Sequence, residues 1–220
     1  MVVLDMAGTT VNEDNLVYKT LHNTLLNEGI HCSLQDVLTY GAGKEKRKAV
    51  VDIIAFLNFP ATIQEIDKIF KLFMNKLSEV YNQAPIFPQK NAEELFNLLH
   101  QKGVIIVLNT GYDSRTANLL LDKLDWKVGV KIDQLVTASD VMNGRPNPDM
   151  IHLAMKHFNI TDPALVAKIG DSIIDIEEGK NANCGLVLGI TTGAHTAYQL
   201  NSANPDAVID DLIKCITFIQ

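Results

Sequence analysis

The sequence predicts an α/β protein in which a parallel sheet, wrapped by helices on both faces, carries an inserted all-helical segment. Three features of the 220 residues support this fold class. A short apolar strand opens the chain, residues 13–84 show only helical patterns, and from residue 91 onward short apolar strands alternate with amphipathic helices. This alternation is typical of a doubly wound parallel sheet, in which functional residues lie at the carboxyl ends of the strands.

The predicted elements follow in a regular order. Residues 1–4 form the first strand, and helical patterns occupy 15–28, 44–56 and 62–81. After Pro85 and Pro88 we expect helices at 91–102, 114–124, 149–158, 174–181 and 210–218, and strands at 104–108, 134–137, 165–169 and 186–190. The chain therefore divides into a Rossmann-like core of residues 1–12 and 85–220 and a helical domain of residues 13–84.

Composition limits the classes of function. No apolar run approaches the roughly 20 residues of a membrane span, and no charged-then-apolar leader precedes the first strand, so we expect a soluble cytoplasmic protein without a membrane partner. A net charge of −7 argues against general nucleic-acid binding but allows an anionic substrate. The three cysteines, Cys32, Cys184 and Cys215, are widely spaced, so we expect neither a disulfide framework nor a zinc site. The sequence leaves a homodimer open.

Polar residues follow the ends of the predicted strands. Asp5 follows the first strand and Thr110 the second, Arg145 lies in a Pro-rich turn after the third, and Asp171 and Asp175 follow the fourth. Each one alone is explained as a turn or a helix cap. Together they indicate a site, because the carboxyl ends of parallel strands meet at one edge of the sheet. Paired carboxylates there are typical of a Mg²⁺ site, and a hydroxyl beside turn amides suits a phosphoryl oxygen.

Four motifs resemble those of the haloacid dehalogenase-like hydrolases, in the same order. They are Asp5-Met6-Ala7-Gly8-Thr9-Thr10, Thr110-Gly111-Tyr112, Gly144-Arg145-Pro146 and Gly170-Asp171-Ser172-Ile173-Ile174-Asp175. The resemblance covers essentially the whole chain. It implies that Asp5 is a nucleophile that becomes an aspartyl-phosphate, that Thr110 binds the phosphoryl group, and that Arg145 stands where most members have Lys.

The resemblance also implies a Mg²⁺ cofactor. Its ligands would be Asp5, Asp171 and the backbone carbonyl of Ala7, with Asp175 as an outer or water-mediated ligand. The metal and Arg145 would screen the repulsion between the attacking carboxylate and a phosphate dianion. The residues expected to contact substrate are Ala7, Thr9, Gly41, Gly111 and Tyr112.

Ala7 departs from the pattern of most phosphatases in this family. They have a second Asp at this position, which protonates the leaving alkoxide, and such acid catalysis is worth about 10²–10⁴-fold. One branch, the phosphonoacetaldehyde hydrolases, shares the Asp-x-Ala-Gly-Thr-Thr motif. In that branch a lysine forms a Schiff base with the aldehyde, so the carbon leaves phosphorus as an enamine and needs no proton.

A candidate lysine lies in the helical domain. Tyr40-Gly41-Ala42-Gly43-Lys44 resembles the Met-Gly-x-x-Lys motif of the branch, so Lys44 is the predicted imine-forming amine. The neighbouring cations Lys46, Arg47 and Lys48 are interpreted as a solvated helix face, which is also the alternative interpretation of Lys44. Three positions depart from the branch: Tyr40 replaces Met, Arg47 replaces a His, and Asn15 falls near an expected Cys.

Three functions remain open at this point. The first is C–P bond hydrolysis of phosphonoacetaldehyde or a near relative through Lys44. The second is a Mg²⁺-dependent phosphatase for a small monoester such as phosphoglycolate or a sugar phosphate, and the third is a catalytically silent phosphate-binding protein. The intact acidic residues count against the third, and Ala7 counts against the second. The helical domain would be a mobile cap with hinges near 11–14 and 85–88, whose closure expels water and delivers Lys44.

Overall fold

The computed structural model of the chain describes residues 1–219, and its centre is a six-stranded parallel sheet. In chain order the helices and strands are β1 (Val2–Asp5), β2 (Val11–Asn12), α1 (Leu16–Asn27), α2 (Leu34–Gly41), α3 (Lys46–Phe56), α4 (Ile63–Gln83), β3 (Phe87–Pro88), α5 (Ala92–Gln101), β4 (Ile106–Thr110), α6 (Ser114–Lys123), β5 (Gln134–Thr137), α7 (Asp149–His157), β6 (Ala167–Gly170), α8 (Ile173–Asn181), β7 (Leu186–Ile190), α9 (Ala197–Ser202) and β8 (Ala207–Ile209). The sheet order is β5-β4-β1-β6-β7-β8, with every neighbouring pair parallel.

Side chains of the central strand β1 alternate between the two faces of the sheet. Val2 and Leu4 pack in one apolar core with residues of α5 and α6, whereas Val3 packs in a second core with residues of α7. This alternation is what a strand buried on both faces requires. The predicted doubly wound α/β class is therefore confirmed.

Helices α1–α4 form the helical insert, which lies between β1 and β4. The chain enters the insert through β2 and leaves it through β3, and these two short strands pair antiparallel, with Val11 opposite Pro88. Inside the insert α1 packs on α4, and α2 packs on α3. Its apolar residues, such as Ile53 and Phe73, belong to the same continuous core as the β1 face described above. The insert therefore rests on the sheet domain in this conformation.

Several predicted elements differ from the structure. Helix α2 was not predicted, since it has only eight residues and buries only Val37 and Gly41, although its capping box of Ser33 and Asp36 was a readable start signal. Strands predicted at 104–108 and 165–169 each begin two residues later, at Ile106 and Ala167.

The carboxyl-terminal region differs most from the prediction. Helix α9 and strand β8 were not predicted, because six and three residues carry too little periodicity. The helix predicted at 210–218 is a 3₁₀ segment, Leu212–Thr217, capped by Asp211. Its two buried residues, Leu212 and Cys215, lie three positions apart, which is the repeat of a 3₁₀ turn.

Within residues 1–219, none of the helices has the length and apolar character that a bilayer crossing needs.

Candidate active site

Three buried carboxylates meet at the carboxyl edge of the sheet. Asp5 is the last residue of β1, Asp171 directly follows β6, and Asp175 lies in the first turn of α8. One oxygen from each lies within 4.8 Å of the others. The structure therefore brings together the three acidic residues that the sequence placed at strand ends.

Asp171 is held in a tight backbone cradle. One of its oxygens accepts a hydrogen bond from the backbone N–H of Ala194 at 2.6 Å, and the other accepts one from Thr9 Oγ1 at 3.3 Å. A Cβ atom on Gly8 or on Gly193 would clash with this carboxylate, and Gly8 also has a φ of 81°. Both glycines are needed at these positions, because any side chain would displace Asp171.

Arg145 forms an ion pair with Asp5. Its guanidinium lies 2.6 Å from Asp5 Oδ1, 2.9 Å from Asp175 Oδ1 and 3.0 Å from Glu178 Oε2. It also donates to the backbone and side-chain oxygens of Asn109, both at 2.7 Å. Arg145 is thus placed beside the nucleophile candidate, as predicted from the turn that follows the third predicted strand.

Three further buried residues, Asn109, Lys168 and Glu178, complete this network. The sequence analysis assigned no role to them. Lys168 lies 3.0 Å from both Asp175 and Glu178 and donates to Asn109 Oδ1 at 2.6 Å. Two signals were available. Lys168 is the one charged residue inside the apolar strand β6, and Glu178 follows Asp175 by three positions, on the same face of α8.

The charge of this cluster fits a divalent cation. Four carboxylates, those of Asp5, Asp171, Asp175 and Glu178, share two directly paired cations, Arg145 and Lys168, so this cluster has more carboxylates than paired cations. Burial, together with Asp5 and Asp175, holds the pKa of Asp171 well above its ordinary value. Burial and Asp175 also raise the pKa of Asp5 despite Arg145. Oxygen ligands with surplus negative charge are the donor set that Mg²⁺ prefers.

The loop after β4 faces this cluster. Thr110 is buried at the end of β4, and its hydroxyl accepts a hydrogen bond from the N–H of Tyr112 at 3.2 Å. Gly111 lies against the insert: a Cβ there would lie 2.8 Å from the carbonyl oxygen of Lys44. Gly43 has a φ of 74°, and a Cβ atom there would clash with the side chain of Ser172. The loop that joins α2 to α3 therefore covers the edge of the sheet.

Lys44, in that loop, and Lys46, the first residue of α3, have opposite surroundings. The amine of Lys44 pairs with Asp52 Oδ2 at 2.6 Å, within the insert. The amine of Lys46 is buried and lies 4.4 Å from the centre of the Tyr112 ring. Burial lowers the pKa of Lys46 to about 8, against the opposing effects of Asp5 and Glu13.

The interpretation of Lys46 as a solvated residue is wrong. Helix α3 begins at Lys46, two residues later than predicted, and its first turn faces the sheet domain because the preceding loop rests on it. Arg47 and Lys48 have exposed side chains, as predicted, and pair with Asp67 and Asp52. The Gly-x-x-Lys spacing occurs twice in the sequence, from Gly41 to Lys44 and from Gly43 to Lys46. This repeat could have indicated Lys46 as an alternative to Lys44.

The remaining predicted residues divide between the site and its surroundings. Thr9 bonds Asp171, and Ala7 lies half-buried two residues beyond Asp5. Gly41 packs within the insert, since a Cβ there would lie 3.1 Å from Ile53 Cδ1. Tyr40 stacks on Phe56 of the insert, with ring centres 3.7 Å apart.

A small cavity opens beside the covered edge. Its volume is about 120 Å³, and Lys46, Gly111, Glu45 and Met74 are among its lining residues. This is smaller than the roughly 300–1,000 Å³ of most ligand pockets. Its lining residues come from both the insert and the sheet domain, so this cavity lies between the two, next to Lys46 and Gly111.

Comparison with known proteins gives consistent results. The sequence model of the haloacid dehalogenase-like hydrolase family matches residues 1–183. A phosphonoacetaldehyde hydrolase from Latilactobacillus sakei subsp. sakei is 30% identical over 196 residues, which cover 82% of this chain and 71% of the relative. The probable phosphatase IndB from Dickeya dadantii is 25% identical over 98% of this chain and 91% of its own. The solved structure of a phosphonoacetaldehyde hydrolase-like protein from Oleispira antarctica shares the fold, with a TM-score of 0.82 at 22% identity, covering 99% of this chain and 90% of that one.

The family match spans most of the chain and includes Asp5, Asp171 and Asp175 of the acidic cluster. The chain therefore belongs to the haloacid dehalogenase-like hydrolases, and within them it resembles the phosphonoacetaldehyde hydrolase branch.

Proposed function

We propose that this enzyme is a Mg²⁺-dependent hydrolase that cleaves the C–P bond of a small phosphonate aldehyde, such as phosphonoacetaldehyde, through an aspartyl-phosphate on Asp5. One observation carries the proposal. A buried lysine amine, that of Lys46, lies over the ring of Tyr112 in the loop after β4, while the position of the usual acid is Ala7. An amine that forms an imine makes the acid unnecessary. The name of the 30%-identical relative supports the same substrate class.

The acidic edge of the sheet would hold the metal. Asp5, Asp171 and the carbonyl of Ala7 are the proposed ligands, with Asp175 acting through water, and a bound Mg²⁺ would supply positive charge beside the transferring phosphoryl group. Asp5 would attack phosphorus, and Arg145 would stabilise the negative charge of the phosphoryl oxygens. Lys168 and Glu178 would hold Arg145 and Asp175 in place.

Phosphoryl binding would also use the loop after β4. Thr110 and the backbone of Gly111 lie at the end of the strand next to β1, and Asp5 pairs in register with Asn109. The Thr110 hydroxyl can donate to a phosphoryl oxygen while it accepts from Tyr112. We propose these groups, with Thr9 and Tyr112, as the substrate-binding residues of the sheet domain.

Lys46, in place of Lys44, is the proposed imine-forming residue. The pKa of Lys46 is lowered to about 8, so at pH 7 the neutral fraction is about 1 in 10, compared with about 1 in 3,000 for an ordinary lysine. The neutral amine would attack the aldehyde carbon and lose water to give an iminium. That group accepts the electron pair of the breaking C–P bond, so the carbon leaves as an enamine and no alkoxide requires a proton.

We also propose that the helical insert is a mobile cap, residues 13–84, on a core of residues 1–12 and 85–220. Its two connections lie side by side because β2 pairs with β3, an arrangement that suits a hinge near 11–14 and 85–88. Opening would admit substrate, and closure would return Lys46 to the face of Tyr112. In the closed state the burial of Asp5, Thr110 and Lys46 would limit water around the reacting groups.

A matched pair of lysine variants tests this function. Lys46→Arg keeps the charge but forms no imine, so the release of acetaldehyde and phosphate from phosphonoacetaldehyde should fall by about 10³-fold or more. Lys44→Arg serves as the control and should retain activity within a few-fold, since Arg can still pair with Asp52. Equal losses in the two variants, or a loss in Lys44→Arg alone, would contradict the assignment.

A phosphate monoesterase is the second candidate function. The relative that covers 98% of this chain is named a phosphatase, and Asp5, Arg145 and Thr110 would serve a phosphoglycolate- or sugar-phosphate-type ester equally well. This candidate predicts that small phosphate monoesters are hydrolysed faster than phosphonoacetaldehyde and that Lys46→Arg leaves their hydrolysis unchanged. The intact acidic cluster disfavours a catalytically silent phosphate-binding protein.

A further inference from the structure

A chain of three buried polar side chains links the insert to the catalytic edge. Tyr81 Oη donates to Glu13 Oε2 at 2.8 Å and lies 2.6 Å from Tyr112 Oη. Glu13 lies in the entry connection of the insert, Tyr81 lies in the last turns of α4, and Tyr112 follows the phosphoryl-binding loop. Burying a carboxylate costs free energy unless a cation pairs with it, and Tyr81 and the N–H of Val17, which donate hydrogen bonds to Glu13, are neutral. The buried position of Glu13 therefore calls for an explanation.

The direction of the hydrogen bonds in this chain is fixed when Glu13 is ionised. A carboxylate can only accept hydrogen bonds, so Tyr81 must donate its single hydroxyl hydrogen to Glu13. Tyr112 must therefore donate its own proton to Tyr81, which leaves the lone pairs of Tyr112 Oη free to accept. The same tyrosine ring lies under the amine of Lys46, at 4.4 Å from Nζ to the ring centre. The Lys46 amine lies over the ring face, so its flexible side chain must turn towards the ring edge before Nζ can donate to Tyr112 Oη. From Tyr112 the hydrogen bonds run through Tyr81 to the Glu13 carboxylate.

We propose that Glu13 is a positioning and proton-relay residue for Lys46, acting through Tyr81 and Tyr112. The proposal rests on the imine function proposed above and adds the destination of the proton that Lys46 must lose. Once the Lys46 side chain turns from the ring face to Tyr112 Oη, its ammonium gives one proton to Tyr112, Tyr112 gives its own to Tyr81, and Tyr81 gives its own to the Glu13 carboxylate. The neutral amine then bonds to the aldehyde carbon.

The same proton returns when the imine forms. The carbinolamine loses its hydroxyl, and the proton held by Glu13 travels back through the two tyrosines to make the leaving group water. The products are the iminium and water, and Glu13 is again a carboxylate. The balance needs no other reactant, because aldehyde and ammonium give iminium and water.

The electrostatics of the two ends suit such a transfer. Burial raises the pKa of Glu13 to about 7, opposed by its hydrogen bonds from Tyr81 and the N–H of Val17 and by Lys46. Burial lowers the pKa of Lys46 to about 8, while Asp5, Glu13 and Glu45 act to raise it and Arg145 to lower it. Proton transfer between groups with nearly equal pKa values meets little thermodynamic resistance.

Glu13→Gln separates a relay role from a packing role. The glutamine oxygen can still accept from Tyr81 and from the N–H of Val17, so the structure of the connection is retained while proton acceptance is lost. Tyr81→Phe breaks the chain but leaves the Glu13 charge. Matched controls are Glu79→Gln on the exposed face of α4 and Tyr198→Phe, whose ring is exposed.

The measurement is the rate at which phosphonoacetaldehyde forms a borohydride-trapped adduct, followed from about pH 6 to pH 9. Glu13→Gln and Tyr81→Phe should each slow adduct formation about 10–100-fold, and Glu13→Gln should lose the rise in rate that accompanies ionisation of Glu13 near pH 7. Vanadate affinity, which reports the sheet-domain site, should stay within two-fold of wild type. The controls should match wild type.

Two results would contradict the inference, and they are distinguishable. Wild-type rates with an unchanged pH profile in both Glu13→Gln and Tyr81→Phe would overturn the relay alone. The absence of any adduct in the wild-type enzyme would overturn the imine function and the relay together. If one variant fails to bind vanadate, the other decides the question, because each interrupts the chain at a different residue.

Discussion

The catalytic edge of the sheet and the loop of the insert that covers it differ in how their residues are positioned. At the edge, Asp5, Asp171 and Asp175 lie at strand ends or in the first helical turn, where the parallel sheet fixes their order and spacing. In the insert, Lys44 of the loop and Lys46 at the start of α3 are two residues apart, yet Lys44 pairs with Asp52 and Lys46 is buried against Tyr112.

This difference teaches where local sequence determines function and where tertiary contact does. A residue at a strand end points to the edge of the sheet whatever packs above it. The direction of a residue at a helix start depends on where the helix begins and on which surface its first turn contacts. On the proposed function, the residues for phosphoryl transfer are positioned by the sheet, whereas the contact between the insert and the sheet domain selects which lysine amine reaches the site.

Removal of the nucleophile should produce the largest effect at the edge. Asp5→Asn should lower turnover of phosphonoacetaldehyde by about 10⁴-fold or more, because the amide cannot attack phosphorus. Asp52→Asn removes an aspartate of the insert that contacts Lys44, and it should retain activity within a few-fold. Comparable losses in the two variants, measured as phosphate release, would show that the edge and the loop are not functionally distinct.

Metal binding should stabilise the sheet edge without any substrate. Because Mg²⁺ would bind the folded state and not the unfolded chain, saturating Mg²⁺ should raise the free energy of unfolding by about 2–3 kcal/mol at 100 times its dissociation constant. Asp171→Asn should lose most of this gain, while Asp67→Asn, on the exposed face of α4, should keep it. Denaturant unfolding with Mg²⁺ or with chelator measures the difference. An equal gain in Asp171→Asn would place the metal elsewhere.

The two lysines should differ in their effect on stability. The folded pKa of Lys46, about 8, lies below the unfolded value of 10.5, so the native state binds fewer protons and this lysine lowers stability at pH 7. Lys46→Met should therefore stabilise the protein by about 1–3 kcal/mol at pH 7, and the gain should fade as pH rises from about 8 towards 10.5.

Lys44→Met is the matched control for that change. It removes a partly exposed ion pair with Asp52 and should destabilise the protein by less than about 1 kcal/mol. Urea unfolding of both variants at pH 7 and pH 9.5 gives the comparison. A destabilised Lys46→Met variant at pH 7 would contradict the electrostatic account of the buried amine.

The fold could be predicted where periodicity extends over enough residues. Alternating strands and helices between residues 91 and 190 identified the doubly wound sheet, since buried parallel strands are continuous apolar runs. Helix α2 and the elements near the carboxyl terminus were missed because they are short and bury few side chains. Length of the periodic segment therefore determined what could be predicted.

The site could be predicted only as far as it follows the sheet. Asp5, Thr110, Arg145 and the two later aspartates follow predicted strands, and the structure brings these groups to one edge. Lys168 was missed because strand patterns treat an internal lysine as a solvated exception, whereas Asn109 and Glu178 pair with it in the interior. Asn109 lies 59 residues from Lys168 and 69 residues from Glu178 along the chain, so no local pattern reports these contacts.

The location of the trapped carbon chain tests the central claim most directly. Borohydride added during turnover with phosphonoacetaldehyde should reduce the imine, attach the two-carbon unit to one lysine and inactivate the enzyme. Peptide mass mapping should find the label on Lys46, with Lys44 unmodified in the same digest. A label on Lys44, or continued turnover with no label on either lysine, would contradict the assignment of the buried amine as the residue that cleaves the C–P bond.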